Sequence, residues 1–590
     1  MISHQNVGRS FIVLGVFCIG AVSLTSAVAQ VEEWVARYSH PPENSNDTPY
    51  AIATDTSGNV VVTGNAGTTA VIITIKYDSN GNMQWVARYD GAGYGDDHGA
   101  AIATDASDNV YVTGSSVTSS GSTDITTIKY DPSGNERWIA HYDGPAEDPD
   151  FGIDVALDAA GNVYVAGMSW GNNFDYITIK YDPSGKQQWA ARYDGPVRGY
   201  DRLEAMSVDA VGNVCITGWS QGVGNDYATI AYDPSGKERW VARYNGPDNL
   251  TDEAYAIAMD SSGSVYVTGW SEGTSTDRDY ATVKYDSGGN QQWVARYDGP
   301  DSRYDEAYEM GVDGLGSVCV TGESRDIDGT SDCTTIKYDS SGKEMWVSRF
   351  NAPKNASSEP RGMVLDDADN IYVASMVYGN DDSDCAVVKY DPAGVEQWVA
   401  LFDSPIGFSD NPNGIAIDSA TNVYITAGSQ FPFYDYSTVK YSQASAAFPA
   451  SFMIVEGERR SGGLSDLFTS NDRRIDIQAA PAIIVEVTGT AGPGPVNRLR
   501  FRVEALSTGS PIIGVRYRIE LYDFVSQSWE VFERPASSID RGEVVDITEK
   551  PERFIDPGTR RMRSRLSWSG PEVLFPNWAS QIDQTIWLID

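Results

Sequence analysis

The stretch Lys129–Trp138 reads KYDPSGNERW, and close copies stand at 180–189 (KYDPSGKQQW), 231–240 (AYDPSGKERW) and 337–346 (KYDSSGKEMW). Each copy has the chemistry of a tight turn: Asp can bond its own backbone, Pro presets one turn angle and Gly accepts positive φ. The closing Trp sets a period. Trp34, Trp85, Trp138, Trp189, Trp240, Trp293, Trp346 and Trp398 lie 51 to 53 residues apart. Self-similarity near 50 residues predicts a solenoid or a propeller.

Four strand-like segments fit inside one period. Around Tyr255 they are AYAIAMD, SVYVTG, DYATVKYD and QQWVARY, joined by short Asp/Gly turns. One four-stranded sheet per unit is the propeller pattern. The second strand begins near Val60, Val110, Val163, Val214, Val265, Val318, Ile371 and Val423, which makes eight. The Trp strand also occurs eight times, but its first copy precedes the first complete unit and none follows Tyr441. The strand around Trp34 therefore completes the last blade, because an open edge invites aggregation. The predicted class is all-β: an eight-bladed β-propeller closed by the N-terminal strand, followed by a β-sandwich-like domain.

The GNVYVTG and KYD-x-x-G-x-x-x-W segments resemble the SBBP family of bacterial β-propeller repeats, over about residues 30–442. The resemblance implies an extracytoplasmic or surface protein and supplies no catalytic residues. Quinoprotein dehydrogenases carry a D-x-x-T-G-x-x-x-W turn. Here Asp131 to Trp138 is one residue shorter and the Thr is missing, and no Cys-Cys pair exists.

The chain has 590 residues, with a formal net charge of -39. Such a surface disfavours nucleic acid and anionic lipid and favours cations or basic partners. Residues 1–29 read as a signal peptide: Arg9, the apolar run at 11–24, then Ala27-Val28-Ala29. The apolar run is too short for a secure span, so no transmembrane anchor is expected in the mature chain. The propeller is expected over 30–442, a small-residue linker over 443–450 and the sandwich-like domain over 451–590. In that last region RLRFRVEAL and VRYRIELYD alternate like half-wet strands, and GERRSGGLSDLF resembles a C-terminal region of secreted bacterial proteins. Residues 450–590 hold 17 of 43 Lys and Arg and 20 of 82 Asp and Glu, so the charge belongs to the propeller. Cys319 and Cys333 fall on neighbouring strands and either pair or remain buried thiols.

Faithful turns and variable loops fall at opposite ends of the blades, and variable loops on a rigid scaffold commonly carry binding. Two carboxylate sets belong to the loop rim. Asp124, Asp175, Asp226, Asp279, Asp332, Asp384 and Asp435 stand five residues before the third-strand Lys or its equivalent, with Val71 in the first unit. Asp47, Asp97, Asp150, Asp201, Asp252, Asp305 and Asp410 stand eight residues before the first-to-second turn Asp, with Ser358 breaking the set. They are read as ligand-binding candidates, together with His98. Against cation binding stands a plainer role: accepting backbone N–H groups, or pairing with Arg88, Arg192, Arg243 and Arg296. No cofactor is expected, although oxygen-rich loops admit calcium. Rim aromatics Tyr94, Tyr200, Trp170, Trp219, Trp270, Phe431, Phe433 and Tyr434 suit sugars or protein surfaces, with packing the favoured role for Trp219 and Trp270.

The chain carries no G-x-S-x-G, H-E-x-x-H or P-loop motif. Acid pairs such as Asp97 and Glu147 are too numerous to single out. The reading is an exported or cell-surface binding protein, with polysaccharide, protein or cations as partners, and more a non-enzyme than an enzyme. The alternatives are an extracellular polysaccharide hydrolase or lyase, and a structural envelope or matrix component.

Overall fold

The computed structural model describes residues 31–442, apart from residues 41–45, 94, 146–147, 275–276, 301, 327–328, 353–355, 380–382, 405–408 and 431–433, and the backbone of strands between 445 and 589. Tyr94, Phe431, Phe433, Glu147 and the leader over residues 1–29 lie outside the described residues. The chain divides into two compact units, one of them Gln30–Gln443.

That unit is a ring of eight four-stranded antiparallel sheets. Seven blades are consecutive in sequence. The eighth joins Asp410–Ile417, Val423–Gln430 and Tyr434–Ser442 to the N-terminal strand Val31–Tyr38. The closing strand runs antiparallel to its neighbour, with Glu32 opposite Tyr441 and Trp34 opposite Lys440. The eight blades and the closure match the sequence-based expectation.

The repeated turn is a seat for the preceding blade. In seven junctions a Trp indole lies on the positive-φ Gly of the next blade's third-to-fourth turn, as Trp138 lies on Gly185. The Trp138 Nε1–H donates to the Pro183 carbonyl at 3.2 Å. Trp34 seats on Gly81 and donates to Ser79 at 3.1 Å, so the closing strand grips blade one as other fourth strands grip theirs. The turn must be copied faithfully because each copy receives the same ring.

Second and third strands are buried on both faces and hold the core, including Val60, Val62, Ile73 and Ile75, all fully buried. The first strands adjoin one another around the ring and so line its axis. Cys215, Cys319, Cys333 and Cys385 are all buried and free. Burial pushes the Cys319 thiol up to about 12 and that of Cys333 to about 11, which makes both inert.

The C-terminal strands form a five-stranded and a six-stranded antiparallel sheet. Among the described residues no helix is long and apolar enough to cross a membrane.

Candidate functional site

The two carboxylate sets meet at the junctions between blades. The second set stands at or just before the start of the first strands and is buried. Asp150 and Asp201 each accept the N–H of a glycine six residues earlier, at 2.6 Å, and Asp252 and Asp305 do so at 2.7 Å. Asp97 accepts from Gly91 at 2.6 Å and from Val117 at 2.9 Å, and Asp410 from Ser404 at 2.6 Å. A side chain at Gly144 would meet the Ser169 hydroxyl at 2.6 Å and the Asp150 carboxylate at 3.0 Å, which explains glycine there. Ser358, the exception, accepts the Cys333 N–H instead, at 2.8 Å. His98 contacts Asn65 through Nδ1.

The first set is matched to arginine from the fourth strand. Arg192 reaches Asp175 at 2.7 Å, Arg243 reaches Asp226 at 2.8 Å, Arg296 reaches Asp279 at 2.6 Å and Arg349 reaches Asp332 at 3.5 Å. Arg88 belongs to the blade where Val71 replaces the Asp, and it pairs with Asp90 instead, at 3.0 Å. His141 and Leu401 stand at the arginine position in the blades of Asp124 and Asp384. Asp435 opens the third strand of blade eight opposite Ser429.

Four junctions add a third carboxylate from the end of the fourth strand. The groups are Asp124–Asp143–Asp150, Asp175–Asp194–Asp201, Asp279–Asp298–Asp305 and Asp384–Asp403–Asp410, each with one ligand oxygen per residue within 4.8 Å of the others. Such groups can hold a divalent cation such as calcium. Burial, with Asp143 and Asp150 adding their charge, pushes the Asp124 carboxyl up to about 6. Burial also lifts Asp252 and Asp305 to about 6.

A second constellation lies on the first strands of blades four to seven, at positions where the repeat is not kept. Counting back from each turn Asp, the fifth residue is Tyr50, Ala100, Ile153, Glu204, Tyr255, Tyr308, Arg361 or Asn413 around the ring. Glu204 pairs with Arg202 at 2.8 Å. Burial pushes its carboxyl up to about 7; Arg202 opposes that and Glu253 adds to it. Glu253 accepts from Asn225 at 2.8 Å and from the Tyr255 hydroxyl at 3.3 Å. Trp270 donates to the Tyr255 oxygen at 3.1 Å, and burial holds that phenol up to about 12. The Arg278 guanidinium lies 4.0 Å above the Trp270 ring and pairs with Glu306. Tyr308 donates to Glu306 at 3.2 Å and Tyr378 to Glu359 at 2.6 Å.

Beside Arg202 runs an aromatic row. Trp219, its cross-strand partner, stacks on Tyr200 at 5.3 Å, and Phe174 joins Tyr200 to Trp170 at 5.7 and 4.7 Å. Trp270 is buried and Trp219 half-buried. Deeper on the axis, Asp154 of blade three and Glu309 of blade six are enclosed by protein yet still wetted. Their carboxyls are pushed up to about 6 and about 7, by burial first; for Glu309 the charge of Asp154 adds to it. Asp154 accepts the Met206 N–H at 3.0 Å.

This constellation is not legible as a site in the sequence alone, because its residues stand on first strands whose pattern is that of scaffold and not on the variable loops. The signal was present as a break in an eightfold repeat at a strand position. A groove of about 390 Å³ lies on the opposite rim, lined by Met259, Asp260 and Leu315. Its carboxylate Asp260 is already used by the turn, accepting Ser262 N–H and Ser264 N–H at 2.9 Å.

A family model described as a beta-propeller repeat (SBBP) matches residues 146–175 and 239–275. The chain is 24% identical over 468 residues to an uncharacterized WD repeat-containing protein of Acanthamoeba polyphaga mimivirus, across 65% of this chain and 32% of that protein. The chain thus spans about a third of the length of that relative. Among solved structures, quinohemoprotein alcohol dehydrogenase from Comamonas testosteroni is similar with TM-score 0.44 and 11% identity, over 75% of this chain and 80% of that one. The polysaccharide lyase Uly1 is similar with TM-score 0.38 and 12% identity, over 60% and 92%. Likenesses this distant transfer no residue roles.

The leaning towards a non-enzyme is corrected here. The carboxylate groups at the junctions are candidate metal sites with catalytic potential. The sequence contained too many acids to distinguish one group; folding selects which of them converge.

Proposed function

We propose that the protein is an exported, polysaccharide-active propeller, a hydrolase or lyase, with its site on the first strands around Glu204. One observation carries this reading: a carboxyl held up to about 7 pairs with an arginine that stands beside an aromatic row, and no other blade has a carboxylate at Glu204's position. Trp219, Tyr200 and Trp170 offer flat apolar faces to sugar rings. A carboxyl with that pKa is protonated or ionised in comparable amounts near neutrality, which suits acid–base work. For hydrolysis, Glu204 would protonate the glycosidic oxygen and Glu253 would supply the second carboxylate. For elimination from a uronate, Arg202 would offset the sugar carboxylate, Glu204 would take the ring proton and the neutral Tyr255 phenol would protonate the leaving oxygen.

The signal-peptide pattern of the sequence over 1–29 supports export to the cell surface, periplasm or medium. The linker over 443–450 and the two C-terminal sheets support a sandwich-like accessory module over 451–590. Polysaccharide is the partner this reading favours, with cations as accessories.

The test is incubation of the mature chain with a panel of neutral and acidic polysaccharides. New reducing ends report cleavage, and ultraviolet absorbance of unsaturated ends marks a lyase. Glu204→Gln is expected to lower turnover by at least about a hundredfold while polymer binding persists. No product from any polymer, or full activity in the variant, would sink the reading.

A further inference from the structure

We infer that the junction of blades two and three is a divalent-cation site, built by Asp124, Asp143 and Asp150 and suited to calcium. It is independent of the polysaccharide reading. The comparison that carries it is internal to the ring. The equivalent groups at Asp175 and Asp279 are each neutralised by a guanidinium, Arg192 at 2.7 Å and Arg296 at 2.6 Å. Blade two has His141 at that position. Its ring is turned to Thr126, with Nδ1 3.0 Å from the hydroxyl, and is exposed. The three carboxylates therefore have no protein cation where the neighbouring junctions do.

Asp124 is also poorly placed to do without one. Asp150 is 0% exposed and Asp124 is 6% exposed. The Oδ1 atom of Asp124 is sealed from solvent and has no hydrogen-bond donor. Asp150 accepts the Gly144 N–H through Oδ2 at 2.6 Å and is also hydrogen-bonded by Ser169 and the Trp170 N–H. A buried charge without a partner is costly, and the same oxygens around a cation are not.

The dimensions fit. The ligand oxygens lie within 4.8 Å of one another. Oxygens on opposite sides of a calcium ion, at 2.3–2.6 Å from it, are about 4.6–5.2 Å apart. The donor set is all oxygen, which selects a hard cation over zinc. Asp143 is exposed, so the site opens to solvent and water can complete the coordination. The Asp384–Asp403–Asp410 group also lacks an arginine, but Asp384 and Asp403 have further partners and carry no part of the inference.

The test is calorimetric titration of calcium chloride into the mature, chelator-stripped chain, with thermal scans in parallel. The wild type is expected to bind calcium and to melt higher at millimolar calcium. His141→Arg restores the guanidinium of the neighbouring blades and should remove one site or weaken it at least about tenfold. Asp143→Ala, an exposed change that leaves the buried contacts intact, should do the same and carries the test if His141→Arg fails to fold. Arg192→His should open a further site at Asp175–Asp194–Asp201. No calcium binding at millimolar concentration, or binding unchanged in a folded His141→Arg or in Asp143→Ala, would overturn the site.

Discussion

Each blade solves the same charge problem with a small set of interchangeable residues. The turn Asp between first and second strands accepts two backbone N–H groups, as Asp158 does from Ala160 and Asn162 at 2.9 Å. Where the second strand carries Tyr, its hydroxyl also reaches that Asp, as Tyr164 does at 3.0 Å, and the third-strand Lys lies over the ring, Lys180 at 4.9 Å. Where Val61 or Cys319 replaces the Tyr, the Lys reaches the Asp directly: Lys76 to Asp55 at 2.7 Å and Lys337 to Asp313 at 3.0 Å. In blade four both are gone, with Cys215 and Ala231 opposite each other. The Trp seat is less forgiving. Gly185 has φ +85°, and a Cβ there would come within 2.6 Å of Trp138. Gly121 has a similar φ of +90° with nothing within 4 Å. Gly121→Ala should therefore cost about 1–2 kcal/mol, the left-handed backbone penalty alone. Gly185→Ala should cost at least about 1 kcal/mol more, because the indole must leave its seat. Denaturant unfolding of the two variants measures the difference.

At the scale of the strand, what the sequence revealed depended on repetition. Strand number, turn chemistry and the closing role of Trp34 were legible because each is written eight times, or once where a copy was owed. The seat itself was not, since nothing in KYDPSGNERW says that the ring it receives comes from the preceding blade. The site was hidden for the opposite reason. Glu204 and Arg361 each occur once at this position, and the tyrosines only in some blades, on strands that alternate like ordinary scaffold. Only the ring brings four blades' first strands side by side. The Asp sets were visible, but their partition was not. Asp175 with Arg192 and Asp124 with His141 differ by one residue in the neighbouring strand, and cross-strand register decides that the residues meet.

The whole ring concentrates carboxylates at its axis and at its loop rim. Glu309, held up to about 7, and Asp154, held up to about 6, bind protons more tightly folded than unfolded. Their unfolded values are about 4.3 and 3.9. Stability from these groups is therefore fully present below about pH 4 and is lost as the pH rises through about 7. Glu309→Gln should raise stability by roughly 1–3 kcal/mol at pH 8 and leave it unchanged at pH 4. Denaturant unfolding at the two pH values checks this, and an equal effect at both would exclude the charge as the cause. All of these placements require the ring to be closed by the N-terminal strand, since an open blade eight would splay the first strands. Hydrogen exchange followed by fragment mass spectrometry on Val31–Tyr38 examines that closure directly. Amides of the closing strand should exchange as slowly as those of Glu136–Tyr142, its counterpart in blade two; exchange at free-peptide rates would contradict the closed eight-bladed ring.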